Sequence, residues 1–266
     1  MPPVVTDAIV LHTFDYLESS RILRMVTRDA GLRSALARGA RKSTKRFGAA
    51  LGLFAQGSAE LHTKPGRDLD TLAGFDVTRA RGELAGHLGR FAAANMIAEL
   101  VMRFGTDNSE STLFEAVQKA LDDVGAASPE QSATTGIAGA WRILAELGFE
   151  PAVDRCAECH TELASDAPAL FSHPTGGTLC GRCSQIARTG RTLPGAARAA
   201  LTDWLAGRPH VLDDVAEVRA HQRLLREFVR EHLSDDKPLR AFDAWESAGL
   251  TAPAAGSNVA PDRQPA

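Results

Sequence analysis

The chain has four cysteines, all within 28 residues: CAECH at 156–160 and CGRC at 180–183. Two C-x2-C pairs separated by a 20-residue gap constrain the local fold strongly. Each two-residue spacer folds into a tight knuckle that aims two thiolates at one ion, and two knuckles complete a tetrahedron. Cys156, Cys159, Cys180 and Cys183 are therefore the expected ligands of one Zn2+. Four thiolates leave no open position for water, so the ion is expected to be structural rather than catalytic. The intervening ELASDAPALFSHPTGGTL reads as a short hairpin with Gly176-Gly177 leading into the second knuckle.

Three other chemistries compete for these cysteines. CAECH matches the C-x-x-C-H pattern of covalent haem attachment, which requires export and leaves the second pair unexplained. Disulfides conflict with the cytoplasmic location expected from an N-terminus, MPPVVTDAIVLHTFDYLESS, that makes a poor secretory signal. A thioredoxin-like pair needs a strand before it and a helix after it, which neither knuckle is expected to have. His160 and His173 could act as ligands, but the thiolates already fill the tetrahedron.

The chain on either side changes period at about residue 82. Before it, TDAIVLHTF, RILRMVTRD, GLRSALARG and the two halves of GSAELHTKPGRDLDTLAGFDV read as five short strands, with a turn at Gly31 and another at Lys64-Pro65-Gly66-Arg67. A small antiparallel barrel is the natural architecture. After it, Leu84, Leu88, Phe91, Ala92, Ile97, Leu100, Val101 and Phe104 recur at helical spacing. Further helices are expected in ESTLFEAVQKALDDVG, in GIAGAWRILAELG with its stop at Gly148, in PGAARAALTDWLAG and in DVAEVRAHQRLLREFVREHL. The expected organisation is a barrel over 1–80, an α-helical domain over 81–250 with the zinc-binding insertion at about 153–186, and a disordered tail over 251–266. The fold class is thus α+β, multidomain.

Charge is distributed unevenly. Residues 1–81 carry 13 Lys and Arg against 8 Asp and Glu, a net of +5, whereas residues 82–266 carry 17 against 25, a net of -8. The excess concentrates in ARGARKSTKRFGAAL, where Arg38, Arg41, Lys42, Lys45 and Arg46 meet no acidic residue before Glu60. A cationic loop on a small β-barrel suits a single-strand nucleic-acid binder: cations track phosphates while strands offer a face on which bases can rest. Phe14, Tyr16, Phe47, Phe54 and Phe75 are the aromatic residues of this region. Some must be core, so phosphate contact is expected to outweigh base stacking. There is no P-loop, no H-E-x-x-H and no G-x-S-x-G, and no enzyme is expected.

The order DAIVLHTFDYLESS, LRMVTRDAGL, ARGARKSTKRFGAALGLF, then helices carrying an inserted CAEC…CGRC, resembles the RecO family of recombination mediator proteins over nearly the whole chain to about residue 250. The resemblance implies an N-terminal OB-fold, a C-terminal α-helical domain and a zinc-binding insertion. It also implies binding of single- and double-stranded DNA, annealing of complementary strands, and action with RecR to load RecA onto strands covered by single-stranded DNA-binding protein. A cytoplasmic, nucleoid-associated bacterial protein is expected. The acidic helical body is then the part expected to serve protein partners.

Two other readings stay open on the residues alone. A zinc-ribbon scaffold or transcription-associated protein would show no preference for single strands and no annealing. A zinc enzyme acting on nucleic acid would need a non-thiolate ligand and a nearby general base, which the spacing does not supply.

Overall fold

Apolar residues alternating along the first eighty positions build β1 (Val4–Tyr16), β2 (Ser20–Thr27), β3 (Gly31–Ala37), β4 (Gln56–His62) and β5 (Asp70–Arg79). In this computed structural model, residues 3–41, 47, 51–63, 66, 68–108, 110–165, 167–187, 189–232 and 237–248 are described. The five strands close into a barrel in the order β1-β2-β3-β5-β4. Every pairing is antiparallel except a short parallel seam where Ala35 and Leu36 of β3 meet Asp70 and Thr71 of β5. This is the OB-fold expected from the sequence. Beside the seam the Arg33 guanidinium grips buried Asp70 through Nε at 2.8 Å and Nη2 at 2.9 Å.

β1 is apolar on both faces because two cores share it. Ala8 and Val10 join the barrel interior with Leu23, Met25, Leu61 and Phe75, whereas Ile9 and Leu11 join the helical core with Val26, Leu32 and Phe54. That explains the unbroken AIVL run. At the β2–β3 turn Gly31 has φ of +60°, and a Cβ there would lie 2.5 Å from the Thr106 carbonyl oxygen. Only glycine fits where this turn meets the helices.

The helical part begins with α1 (Gly82–Ala85) and α2 (Leu88–Phe104), then α3 (Ser111–Ala126) and α4 (Ser132–Glu146). The periodic run expected from residue 82 is therefore broken at Gly86-His87. His87 is extended, and its side chain accepts a hydrogen bond from the Gly89 amide, so α2 starts afresh with Leu88 in its first turn, 60% exposed. α4 lies close on α3: a Cβ on Gly139 would approach the Ala120 Cβ to 2.8 Å.

The cysteine region contains β6 (Ala169–Ser172), β7 (Gly177–Leu179), α5 (Gly181–Ser184) and β8 (Arg191–Leu193). The expected hairpin is β6–β7, and β8 pairs with the other edge of β6. α6 (Gly195–Leu205), α7 (Val215–His232) and α8 (Arg240–Ala248) complete the body. α8 was not expected from the sequence. Its N-terminal amides at Arg240, Ala241 and Phe242 donate to the Glu99 carboxylate of α2, at 3.0 to 3.3 Å. The cap thus comes from another helix, and Phe242 and Trp245 bury against the body.

The barrel and helices meet at Arg81, whose side chain is fully buried. Its guanidinium donates to Asp122 Oδ1 of α3 at 2.7 Å, the Phe54 carbonyl at 3.0 Å and Gln56 Oε1 at 2.7 Å. Arg79 reaches the other Asp122 oxygen at 2.9 Å. Burial pulls the Arg81 pKa down while Asp122 holds it up. Replacing Arg81 by Met is expected to cost about 3 kcal/mol of stability by urea denaturation, since it leaves the partly buried Asp122 to Arg79 alone and strands two further acceptors. Lys, which lacks the fork, should restore only part of that.

His221 of α7 is 3% exposed, stacks edge-on against Trp204 at 4.8 Å, and is pushed down to about 4 by burial and then by His210. Its folded pKa lies below the unfolded value near 6.5, so the unfolded chain takes up this proton first as pH falls. The contribution is intact above pH about 6.5 and is lost progressively between there and about 4, by about 3 kcal/mol in total. Equilibrium unfolding across this window should show that loss, and His221→Leu should flatten it.

Candidate functional site

The exposed face of the barrel owes its composition to one irregularity. The β1–β2 register pairs Val10 with Met25 but His12 with Arg24, so one extra residue of β1 is accommodated at this point. Such a bulge moves every following side chain to the opposite face. His12, Phe14 and Tyr16 consequently share the outer surface with their cross-strand partners Arg24, Ile22 and Ser20. Phe14 is 47% exposed and Tyr16 42%, and the rings of His12 and Phe14 lie 4.3 Å apart. Ser34 and Leu36 of β3 extend the face across Arg24 and Ile22. Phe47, Phe54 and Phe75 are buried. Of the five aromatic residues, the two on this face are therefore open to a ligand. Their signal in the sequence is the alternation of His12, Phe14 and Tyr16 in HTFDY.

Arg38 and Arg41 follow β3 in an exposed turn that Gly39 enters at φ of +73°. The Arg41 amide donates to the Ser19 carbonyl at 3.0 Å, docking this turn on the β1–β2 turn. Its guanidinium lies 3.8 Å from Asp15, which also accepts from Arg21 at 3.2 Å. Space thus supplies an acid that the neighbouring sequence lacks, and two arginines share its charge. Lys42, Lys45 and Arg46 lie outside the described residues, as does the 251–266 segment. The structure brings Arg38 and Arg41 to the same end of the barrel as Tyr16 and the β1–β2 turn.

The four cysteines converge. Their sulfurs all lie within 4.8 Å of one another, with Cys159 and Cys180 at 3.7 Å. A tetrahedron with metal–sulfur arms of about 2.3 Å has edges of about 3.8 Å, so this donor set fits one Zn2+-sized ion. The first knuckle is closed by Cys156 N donating to the Thr161 carbonyl at 2.8 Å and His160 N to the Cys156 carbonyl at 2.9 Å, with His160 at φ of +59°. The second is carried by β7 and α5, where Ser184 N donates to the Cys180 carbonyl at 2.9 Å. The Thr161 hydroxyl and amide lower the Cys159 pKa to about 5, whereas burial and the neighbouring sulfurs raise Cys183 to about 12. Metal-free, the cluster cannot hold four negative charges together; a cation at its centre relieves that repulsion.

Arginine and acid contacts bind this module to the helices. Arg198 of α6, 2% exposed, donates to the carbonyls of Ala164, Ala167 and Val153 at 2.8, 2.6 and 3.0 Å. Glu227 of α7 takes His173 Nε2 at 3.0 Å and also the Arg191 guanidinium. His173 is therefore occupied by a carboxylate and stands apart from the metal ligands, as does His160. On the other side of the body, α3, α4 and the α6–α7 connection enclose an open groove of about 880 Å3, lined among others by Lys119, Ala138, Arg142, Trp204 and His210. The Asp203 carboxylate pins that connection through His210 and Arg208, each at 2.8 Å.

No helix among the described residues is long and apolar enough to cross a membrane. Two family models match the chain in succession: Recombination protein O N terminal over residues 1–81, and Recombination protein O C terminal over residues 86–241. The first match ends at Arg81. The DNA repair protein RecO of Anaeromyxobacter sp. (strain K) is 38% identical over 199 residues, covering 74% of this chain and 76% of the relative. That of Anaeromyxobacter sp. (strain Fw109-5) is 32% identical over 240 residues, covering 88% and 93%. The RecO of Gloeobacter violaceus is 32% identical over 246 residues, covering 90% and 92%. With both halves matched in order and the barrel, helices and four-cysteine cluster in place, the chain belongs to the RecO family of DNA repair proteins.

Proposed function

We propose that the chain is a recombination mediator whose barrel holds DNA by the outer face of β1–β3 and the turn after β3. The observation that carries this reading is the pairing of exposed Phe14 and Tyr16 with Arg38 and Arg41 at one end of a closed barrel. Aromatic rings accept any base, and guanidiniums accept any phosphate, so the face suits a single strand without sequence preference. Lys42, Lys45 and Arg46, which follow Arg41 in the sequence, carry further positive charge suited to the backbone of double-stranded DNA. Base stacking carries more of the binding than the sequence alone suggests, because both exposed aromatics share one face.

A strand held this way can meet its complement, which supports annealing. The helical body serves RecR and single-stranded DNA-binding protein, and with RecR the protein helps load RecA onto covered strands. The groove beside Trp204 offers a partner segment an apolar floor at Ala138 and a rim of both signs, where Lys119 is paired with Asp123 and Arg142 lies beside Glu146. Cys156, Cys159, Cys180 and Cys183 hold one Zn2+ whose role is to fold the insertion. We read no catalytic role into any residue.

Three outcomes test this. Replacing Arg38 and Arg41 by Ala should weaken oligonucleotide binding across unrelated sequences and flatten the salt dependence by roughly 0.7 log units for each phosphate no longer neutralised. Replacing Phe14 and Tyr16 by Ala should instead cost about 1–3 kcal/mol per stacked base with the salt slope unchanged. Fluorescence anisotropy at several salt concentrations separates the two; a folded protein with neither effect would favour the scaffold reading. Metal analysis of the purified chain should find about one zinc per chain, and Cys156→Ser should lower thermal stability more than it lowers DNA affinity. Zinc-free, fully folded protein would overturn the metal assignment.

A further inference from the structure

Along α7 the residues at 219, 223, 226 and 230 are all arginine. Steps of four, three and four place them in one stripe along the helix. The opposite side buries His221, Leu225, Phe228 and Val229, so Arg219, Arg223 and Arg230 face solvent, whereas Arg226 between them is covered by α8 with its side chain 15% exposed. Solvated helix faces ordinarily mix signs, because Glu and Arg a turn apart stabilise a helix and like charges destabilise it. This stripe sets like charges a turn apart three times in succession, in a body that is otherwise acidic.

Among the described residues, acids pair with the stripe at Arg226 and leave its other three arginines without an ion pair. Asp243 and Glu246 of α8 both grip Arg226 at 2.7 Å, an anchor between the two helices. Glu227 is taken by Arg191 and His173. Arg219, Arg223 and Arg230 are exposed and make no ion pair or side-chain hydrogen bond among the described residues. The three free guanidiniums span about 16 Å of helix axis. Arginine presents a planar fork that matches phosphate oxygens two at a time.

We propose that this face of α7 binds the phosphate backbone of a second DNA molecule while the barrel holds the first. A protein partner would seek an apolar centre with a polar rim. The large exposed hydrophobic of α7 is Val215, 58% exposed, at the helix start and before the first arginine. A row of guanidiniums without an apolar centre fits a regular polyanion. Two separate surfaces on one chain would hold two strands close together, which is what annealing requires. The proposal rests on the barrel reading only for the first strand.

The test uses the full chain with a donor-labelled poly-dT strand and a non-complementary, acceptor-labelled duplex, reading energy transfer between them when protein bridges the two. Wild type should bridge. R219A/R223A/R230A, whose side chains have no ion-pair partner among the described residues, should remain folded by circular dichroism. It should lose about tenfold in bridging and about 0.9 log units of duplex salt slope per phosphate released, with poly-dT affinity within about twofold. R219K/R223K/R230K, which keeps the charge, should retain most of the bridging. A folded alanine variant that bridges like wild type overturns the proposal, as does a wild-type protein that never bridges. Parallel loss of poly-dT and duplex binding also overturns it, since the stripe would then belong to one common site. If R38A/R41A keeps full poly-dT affinity, the barrel reading fails by itself and the stripe is judged on duplex binding alone.

Discussion

Arg81 occupies the covalent crossing from the last barrel strand to the first helix, and its guanidinium has no contact with water. A buried cation is tolerated only where its donors find acceptors, and here these come from the barrel at Phe54 and Gln56 and from α3 at Asp122. The backbone at Arg81 is left-handed, at φ of 48°, a conformation that non-glycine residues adopt only when surroundings compel it. Three fixed bonds and a turned backbone leave the barrel one orientation on the helices. That orientation decides which wall of the barrel is covered, through Ile9, Leu11, Val26 and Leu32, and which is left open.

The open wall is then set by the irregularity in β1. Before it, inward and outward side chains serve the two cores; after it, the parity reverses and His12, Phe14 and Tyr16 emerge. A regular strand would have turned these rings into the barrel interior, which is already filled by Leu23, Met25 and Leu61 among others. The exposed aromatic face is thus a consequence of packing on the opposite wall: one strand is long enough to contribute to a core at one end and to a surface at the other.

The cysteine module is held together differently. Its three-stranded sheet has strands of three or four residues and little apolar area of its own. Its attachment combines Val153, Phe171 and Leu193, which join the helical core, with Arg198 and Glu227, which satisfy its carbonyls and cations. With the four sulfurs drawn to within 4.8 Å, the centre of the module is polar chemistry rather than hydrophobic burial.

Much of this was legible in the residues themselves. The paired knuckles fix their own geometry through a two-residue spacer, so Cys156, Cys159, Cys180 and Cys183 could be grouped without knowing the fold. Strand alternation and helical periodicity are likewise local, and the five strands and the long apolar helices were readable for that reason. What could not be read depends on groups distant in sequence. The cap of α8 is Glu99, more than a hundred residues earlier, so no local signal announces that helix. The acid beside Arg41 is Asp15, brought there by the β1–β2 turn. The exposure of Phe14 and Tyr16 depends on a register shift against β2, and the role of Arg81 depends on Asp122 of α3. Short-range chemistry is written in spacing, whereas faces, caps and buried ion pairs exist only once distant segments have packed.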